Sequence, residues 1–342
     1  MIRTYHSRAP IRVCDNGGWT DTWFAKRGRI FNIAVSPFAE VQIDVHPRAA
    51  REHEIEVYAE NFGERFVHSN DWSHHPLIEA AITRIGAPAG CALHISLFSE
   101  APPGASTGTS AAVTVALLAA LHATHCRAPD PHTLAYEAHA VETEMLKRQS
   151  GIQDQLAAAY GGVCDIDMHD YPHARVSQIA LNETTAFELE RRLALIYVGK
   201  SHDSSTVHER VIRELEDTGP DDARIETLRQ TAPRSVAALQ AGDMAALGAA
   251  MIDNTHAQAG LNPALVGADA QRIIAIARDY GALGWKVNGA GGDGGSVTLL
   301  CGDDASQARA MLHAMEAAGG YRRIPTRLSA HGVRVWETHS AA

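Results

Sequence analysis

The first sixty or so positions alternate between apolar and polar residues in short runs. Ile30-Phe31-Asn32-Ile33-Ala34-Val35 and Glu40-Val41-Gln42-Ile43-Asp44-Val45 change face at nearly every step, which is the pattern of half-buried strands and predicts an antiparallel sheet between Arg8 and Val67. Pro76 to Ile85 has helical spacing, and Cys91 to Phe98 sets Cys91, Leu93, Ile95 and Leu97 on one face of a further strand. Ala111 to Ala123 is apolar nearly all round, as a helix buried on every side must be. Pro131 to Lys147 begins with proline where a first turn tolerates it and reads as a second long helix. Strand patterning returns at Val163 to Met168 and at Leu193 to Tyr197.

The second half predicts helices over Ser205 to Leu215, Ile225 to Ala241, Met244 to Ala257, Ala268 to Tyr280 and Asp304 to Ala318. Between and after them lie strands at Trp285 to Asn288, Val297 to Cys301 and Gly332 to Trp336. A break between residues 180 and 190 divides the chain into a first domain, 1–185, and a second, 186–342. Mixed strands and helices in both halves give an α+β class, two α/β sandwiches with a cleft between them.

Composition narrows the partners. With 45% hydrophobic and 20% charged residues in 342, the chain has the make-up of a globular protein. A net charge of -10 argues against a broad nucleic-acid surface, so an anionic ligand has to be held by local geometry. Cys14, Cys91, Cys126, Cys164 and Cys301 are scattered and form no C-x-x-C, which fits a reducing cytoplasm. With no apolar leader and no run of eighteen apolar residues, neither secretion nor a membrane partner is expected. His74-His75 and the His122/His125 pair lack H-E-x-x-H or a further ligand at zinc spacing, and no zinc site is assigned.

Four segments carry chemistry. Pro102-Pro103-Gly104-Ala105-Ser106-Thr107-Gly108-Thr109-Ser110 is a small-residue loop entering a helix, where backbone N–H groups can cradle phosphate. It is not the common G-x-x-x-x-G-K-[ST] loop, because Thr109 and Ser110 stand at the second glycine and the lysine. A turn leading into a capped helix uses the same residue types. Glu142 and Glu144 lie at a helix C-terminal end, where negative charge is disfavoured and a cation would compensate; for Glu144 a solvated surface acid is the readier explanation. Asp154 precedes the buried-looking Leu156-Ala157-Ala158-Ala159 and needs a partner. Near the start, Arg12 is followed by Gly17-Gly18-Trp19-Thr20-Asp21-Thr22, which offers an aromatic face for a sugar ring and a carboxylate for its hydroxyls, although turn chemistry alone also accounts for it. Gly289-Ala290-Gly291-Gly292-Asp293-Gly294 has the letters of a dinucleotide fingerprint but leads into a strand, so it predicts a hairpin-like loop instead.

In this order the glycine-bearing segments resemble the GHMP kinase superfamily of galactokinase, homoserine kinase, mevalonate kinase and phosphomevalonate kinase, over nearly the whole chain. Pro102 to Ser110 is similar to its Pro-x-Gly-x-Gly-Leu-Gly-Ser-Ser loop, with Ser106 and Thr107 in place of Gly-Leu. Arg8 to Asp21 is similar to the N-terminal motif and Lys286 to Gly294 to the C-terminal glycine motif. Gly17 to Thr22 is most like the sugar 1-kinase branch, which contains L-fucokinases and D-glycero-D-manno-heptose 7-phosphate kinases.

The resemblance implies an N-terminal domain like ribosomal protein S5 domain 2, a ferredoxin-like C-terminal α/β sandwich and an active site in the cleft between them. It implies ATP on Pro103, Gly104, Ala105, Ser106, Thr107, Gly108, Thr109 and Ser110, and Mg²⁺ on Ser110 and Glu142. Asp154 and Arg12 take the catalytic places, while Gly18, Trp19, Thr20, Asp21, Gly151, Gly291 and Gly292 contact the sugar. The implied activity is transfer of the γ-phosphate to the anomeric hydroxyl of a sugar or sugar phosphate, such as D-glycero-D-manno-heptose 7-phosphate, L-fucose or D-glucuronate. A phosphorylated acceptor would call on Lys26, Arg27, Arg148 or Lys200. The rivals are a non-catalytic sugar- and ATP-binding regulator on the same scaffold and a GHMP kinase for a non-sugar alcohol. A small-molecule partner, a monomer or homodimer and a cytoplasmic location complete the expectation.

Overall fold

A computed structural model of the chain describes residues 2–199 and 205–340; Lys200 lies outside the described residues. The chain runs β1 (Ile2–Asn16), β2 (Gly28–Pro47), β3 (Ile55–Ala59), β4 (Glu64–Val67), α1 (Pro76–Ile85), β5 (Cys91–Ser99), α2 (Thr109–Thr124) and α3 (Pro131–Ala140). A π-helical turn (Val141–Met145), α4 (Gln153–Tyr160), β6 (Val163–Asp170), β7 (His173–Gln178) and α5 (Glu183–Arg192) follow. The second half comprises β8 (Leu193–Tyr197), α6 (Ser205–Thr218), α7 (Ala223–Arg229), α8 (Thr231–Gln240), α9 (Met244–Leu261), α10 (Ala268–Asp279), β9 (Gly284–Val287), β10 (Ser296–Leu300), α11 (Ala305–Gly319), β11 (Arg322–Ile324) and β12 (Arg334–Ser340).

The two alternating runs expected as separate strands are one long strand, β2, whose pairing with β1 shifts register between Pro10 and Ile11. The first sheet has the order β12-β1-β2-β5-β3-β4, with β6 also on β2 and β7 on β6. It is not wholly antiparallel: β3 runs parallel to β5. A parallel pair needs a crossover, and β4 with α1 supplies it. Helix α2 packs on β1 and β2, with α1, α3 and α4 beside it. That explains its uniform hydrophobicity, because Val115, Leu117, Leu118 and Leu121 face different neighbours and all are buried. Fully burying an aliphatic side chain of this size is worth about 1.5–3 kcal/mol, so α2 is the anchor that fixes where the loop before it sits.

The second sheet is antiparallel throughout, in the order β11-β8-β10-β9. Three further expectations change. The helix expected over Pro131 to Lys147 gives way at Val141 to the wider π turn, a device common next to functional sites. The single helix expected from Ile225 to Ala241 is two, because Pro233 cannot donate an N–H and its ring conflicts with the carbonyl of Arg229, the last residue of α7. The last strand, β12, pairs antiparallel with β1 in the first sheet, so the end of the chain returns across the division expected near residue 185.

Buried hydrogen bonds tie the two halves together at the end of β1. Asn16 Nδ2 donates to Ser235 Oγ at 2.8 Å, Gly17 N to Asn254 Oδ1 at 2.7 Å and Cys14 N to Asn288 Oδ1 at 3.2 Å. No helix among the described residues is long and apolar enough to cross a membrane.

Candidate active site

The loop before α2 owes its shape to residues in the left-handed region at alternate positions: Gly104 (φ 73°), Ser106 (φ 57°) and Gly108 (φ 70°). Glycine reaches that region freely, whereas Ser106 is held in it by its surroundings. Arg12 Nη1 donates to the Ser106 carbonyl at 2.6 Å, Arg12 N to the Thr107 carbonyl at 3.0 Å, and Ser296 Oγ to the Ala105 carbonyl at 2.5 Å. Gly108 starts α2 without a side-chain cap. No side chain of the N-cap residue satisfies the first-turn N–H groups, which have no partner within the helix.

All eight loop residues from Pro103 to Ser110 line a cavity of about 660 Å³, with Arg148 on its wall. A second cavity, of about 210 Å³, is lined by Trp19, Asp21, Trp23, Phe24, Ser150 and Gly151 among others. Arg12, Asp154, His208, Gly289 and Ala290 line both, so the two spaces meet at the Arg12–Asp154 pair. Arg12 Nε donates to Asp154 Oδ1 at 2.8 Å from a side chain that is 4% exposed. Burial works against its charge, but Asp15 and Asp154 outweigh that, and the guanidinium stays firmly protonated. Asp154 lies in the first turn of α4, where the helix dipole favours a carboxylate.

Asp21 is buried behind the same turn and accepts the Gln153 N–H at 3.0 Å. Burial, aided by Asp154 and Asp15 and opposed by that N–H, pushes its carboxyl up to about 6. Gly151 makes room for it: a Cβ added there would lie 2.2 Å from Asp21 Oδ2. Tyr171 OH donates to the Ser150 carbonyl at 2.9 Å and holds the preceding residue in place.

Gly18, Thr20, Gly291 and Gly292 line neither cavity and build the walls instead. Thr20 Oγ1 donates to the Gly17 carbonyl at 2.7 Å and accepts the Arg29 N–H at 3.1 Å, which closes the turn. Gly18 lies against Asp15. Gly291 approaches the Leu265 carbonyl too closely for a side chain, with an added Cβ at 2.2 Å, and Gly292 N donates to the same carbonyl at 2.8 Å. From this loop the cavities are reached by Gly289 and Ala290.

Ser110 is exposed on the rim of the larger cavity, whereas Glu142 lines neither and stands behind Asp154. Gln155 Nε2 donates to Glu142 Oε1 at 3.0 Å, and burial raises the Glu142 pKa. Beside it, Gln155 Oε1 is buried without a hydrogen-bond partner. Hydroxyl and carboxylate oxygens are the hard donors that Mg²⁺ takes; Ser110 presents its hydroxyl on the larger cavity, while the Glu142 carboxylate lines neither cavity and is held by Gln155. Among the described residues no group of three or more His, Cys, Asp or Glu forms a metal cluster. The paired histidines have other partners: His122 Nε2 meets Glu137 Oε2 at 2.7 Å, and His75 Nε2 meets Glu64 Oε2 at 2.9 Å.

Sequence reading missed a second charged layer. Asp15 is fully buried between Lys286 Nζ at 3.3 Å and Arg12 Nη2 at 3.9 Å, and it accepts the Gly289 N–H at 3.0 Å. Lys286 also donates to Gln258 Oε1 at 3.1 Å and to the Val287 carbonyl. Burial pulls its pKa down despite Asp15. The signal was present, since a lysine inside the apolar strand Trp285-Lys286-Val287 requires a buried partner. Of the four basic residues expected for a phosphorylated acceptor, Arg148 is on the loop side, Arg27 pairs with Asp221, Lys26 is exposed and Lys200 is outside the described residues.

Residues 76–162 match the family described as GHMP kinases N terminal domain, and residues 235–320 match GHMP kinases C terminal. The chain is 23% identical over 249 residues to a D-glycero-alpha-D-manno-heptose 7-phosphate kinase from Campylobacter jejuni, covering 73% of this chain and 71% of that protein. It is 28% identical over 213 residues to a mevalonate kinase from Methanothermobacter thermautotrophicus, covering 61% of this chain and 64% of that one. The fold superposes on the crystal structure of a D-glycero-D-manno-heptose 1-phosphate kinase from Bacteroides thetaiotaomicron with TM-score 0.76 at 19% identity, covering 98% of this chain and 100% of that chain. With both family domains in order along the chain and the loop 103–110 lining a cavity shared with Gly289 and Ala290, this chain belongs to the GHMP kinases, a family of ATP-dependent phosphotransferases.

Proposed function

We propose that this chain phosphorylates the anomeric hydroxyl of a sugar, with ATP as donor. The observation that carries the reading is the meeting of the two cavities at Arg12 and Asp154. Phosphoryl transfer is mostly positioning and electrostatics, and it needs the donor phosphate and the acceptor oxygen brought together at one base. The glycine loop and the open start of α2 hold the phosphates. Asp154 orients the acceptor hydroxyl and takes its proton as the oxygen bonds to the γ-phosphorus and the bond to ADP breaks. Arg12 fixes Asp154 through Nε and stabilises the negative charge that develops. Ser110 and Glu142 would hold Mg²⁺, which neutralises phosphate charge when bound.

Trp19, Trp23 and Asp21 support a sugar as acceptor, as do the heptose phosphate kinases among the similar proteins. An anomeric hydroxyl is more acidic than an ordinary alcohol, which suits a carboxylate base. A non-sugar alcohol is the second reading, favoured by the likeness to mevalonate kinase. ADP release across a panel of aldoses, sugar phosphates and mevalonate, with phosphorus NMR of the product, separates the two. Transfer to C1 of a sugar is expected; transfer to mevalonate alone contradicts the proposal.

A further inference from the structure

The two halves of the joined cavity differ in charge. The loop side offers the uncapped start of α2 and Arg148. The acceptor side holds Asp15, Asp21 and Asp154, and Arg12 is the one Lys or Arg among its described lining residues. That guanidinium is already committed to Asp154, the Ser106 carbonyl and Asp15. His208 Nε2 donates to the Gly291 carbonyl at 2.9 Å.

The remaining wall is aromatic. Trp19 has φ 75°, a backbone conformation that bulky residues rarely adopt. Its indole N–H donates to the Ala290 carbonyl at 3.3 Å, and its ring meets His208 edge-on at 5.7 Å. A strained residue held so firmly marks an imposed constraint, and a fixed indole with an apolar face and a satisfied N–H suits the C–H face of a sugar ring.

Resting on the sugar-kinase reading, we infer that the acceptor is an uncharged reducing aldose, carrying neither phosphate nor carboxylate. Hydroxyl groups donate to Asp21 and Asp154 without adding charge. A phosphate ester brings roughly two negative charges at neutral pH beside Asp21 and Asp154, while the two buried cations nearby are already paired, Arg12 with Asp154 and Lys286 with Asp15. The raised pKa of Asp21 points the same way, since burial and the neighbouring carboxylates already disfavour one more anion in this space.

The test follows ADP release by the full chain with ATP and Mg²⁺ across hexoses, 6-deoxyhexoses and heptoses. For the best aldose, its terminal phosphate, its uronate and its neutral terminal acetyl ester are compared. The expected kcat/KM for the free aldose exceeds that for the phosphate by at least about 100-fold, as like-charge juxtaposition predicts, with the acetyl ester closer to the aldose than the phosphate is. A phosphate or uronate as the best acceptor overturns the inference while leaving the sugar-kinase reading intact. An acetyl ester rejected as strongly as the phosphate overturns it too, because space and not charge then decides. Failure of every sugar, charged or not, removes the sugar-kinase reading and the inference with it.

Discussion

Arg12 and Asp154, 142 positions apart in the chain, are joined by a 2.8 Å hydrogen bond from Nε to Oδ1 where the two cavities meet. The fork of the guanidinium does two jobs there, since Nη1 also holds the Ser106 carbonyl and so shapes the loop. Arg12→Lys keeps a charge but loses the planar fork. Removing one donor that stabilises transition-state charge typically lowers kcat by about 100- to 1,000-fold, and a loss of that order is expected. ATP affinity should weaken as well, because the loop loses its anchor; titration of the variant with a non-hydrolysable ATP analogue reads that second effect.

Asp15 and Lys286 lie beneath this pair and join β1 to β9. Breaking a buried ion pair from one side costs about 3–5 kcal/mol because it leaves an uncompensated charge. Lys286→Met should lose stability on that scale in denaturant unfolding. The double variant Asp15→Asn/Lys286→Met should lose less than the sum of the singles; additive losses would mean that the two do not interact.

Much of this site was legible in the sequence, but unevenly. Asp154 and Arg12 stood in motifs with fixed spacing, and a carboxylate ahead of a buried alanine run needs a partner in any fold. The eight loop residues share one cavity because they are contiguous and α2 cannot move. A lysine within the apolar strand Trp285-Lys286-Val287 signals a buried partner, but which carboxylate pairs with it, Asp15 on the distant strand β1, is not written in any local pattern. The family resemblance places Gly291 and Gly292 at the sugar, whereas glycine chemistry alone allows approach to a ligand or to another backbone; in the structure both lie against the Leu265 carbonyl. Strand β12 was legible as a strand but not in its sheet, since hydrophobic alternation carries no record of which neighbour it pairs with.

Asp21 gives the site a pH dependence. Its folded pKa, about 6, lies above the ordinary 3.8. Its stabilising contribution is therefore complete below the unfolded value and is lost as pH rises through about 6. Over this window the unfolding free energy of the unmodified chain, taken relative to that of Asp21→Asn, should fall as pH rises. The KM for the acceptor should improve over the same window, as the carboxylate that accepts its hydroxyls forms. Identical pH profiles for the two proteins would remove Asp21 from both roles.

Gly151→Ala would place a methyl group 2.2 Å from Asp21 Oδ2, a carboxylate already pinned by the Gln153 N–H. Overpacking of this kind costs about 1–3 kcal/mol. The acceptor KM should rise and stability drop while nucleotide affinity is retained, because Gly151 lines only the smaller cavity of the two. Steady-state kinetics with each substrate varied in turn checks the split.

The meeting of donor and acceptor at Asp154 is tested most directly by Asp154→Asn, which keeps the size of the side chain and removes its basicity. Loss of a positioned general base typically lowers turnover by about 100- to 10,000-fold, and kcat for ADP release should fall within that range while ATP binding by calorimetry stays unchanged. Turnover equal to that of the unmodified chain would contradict the account.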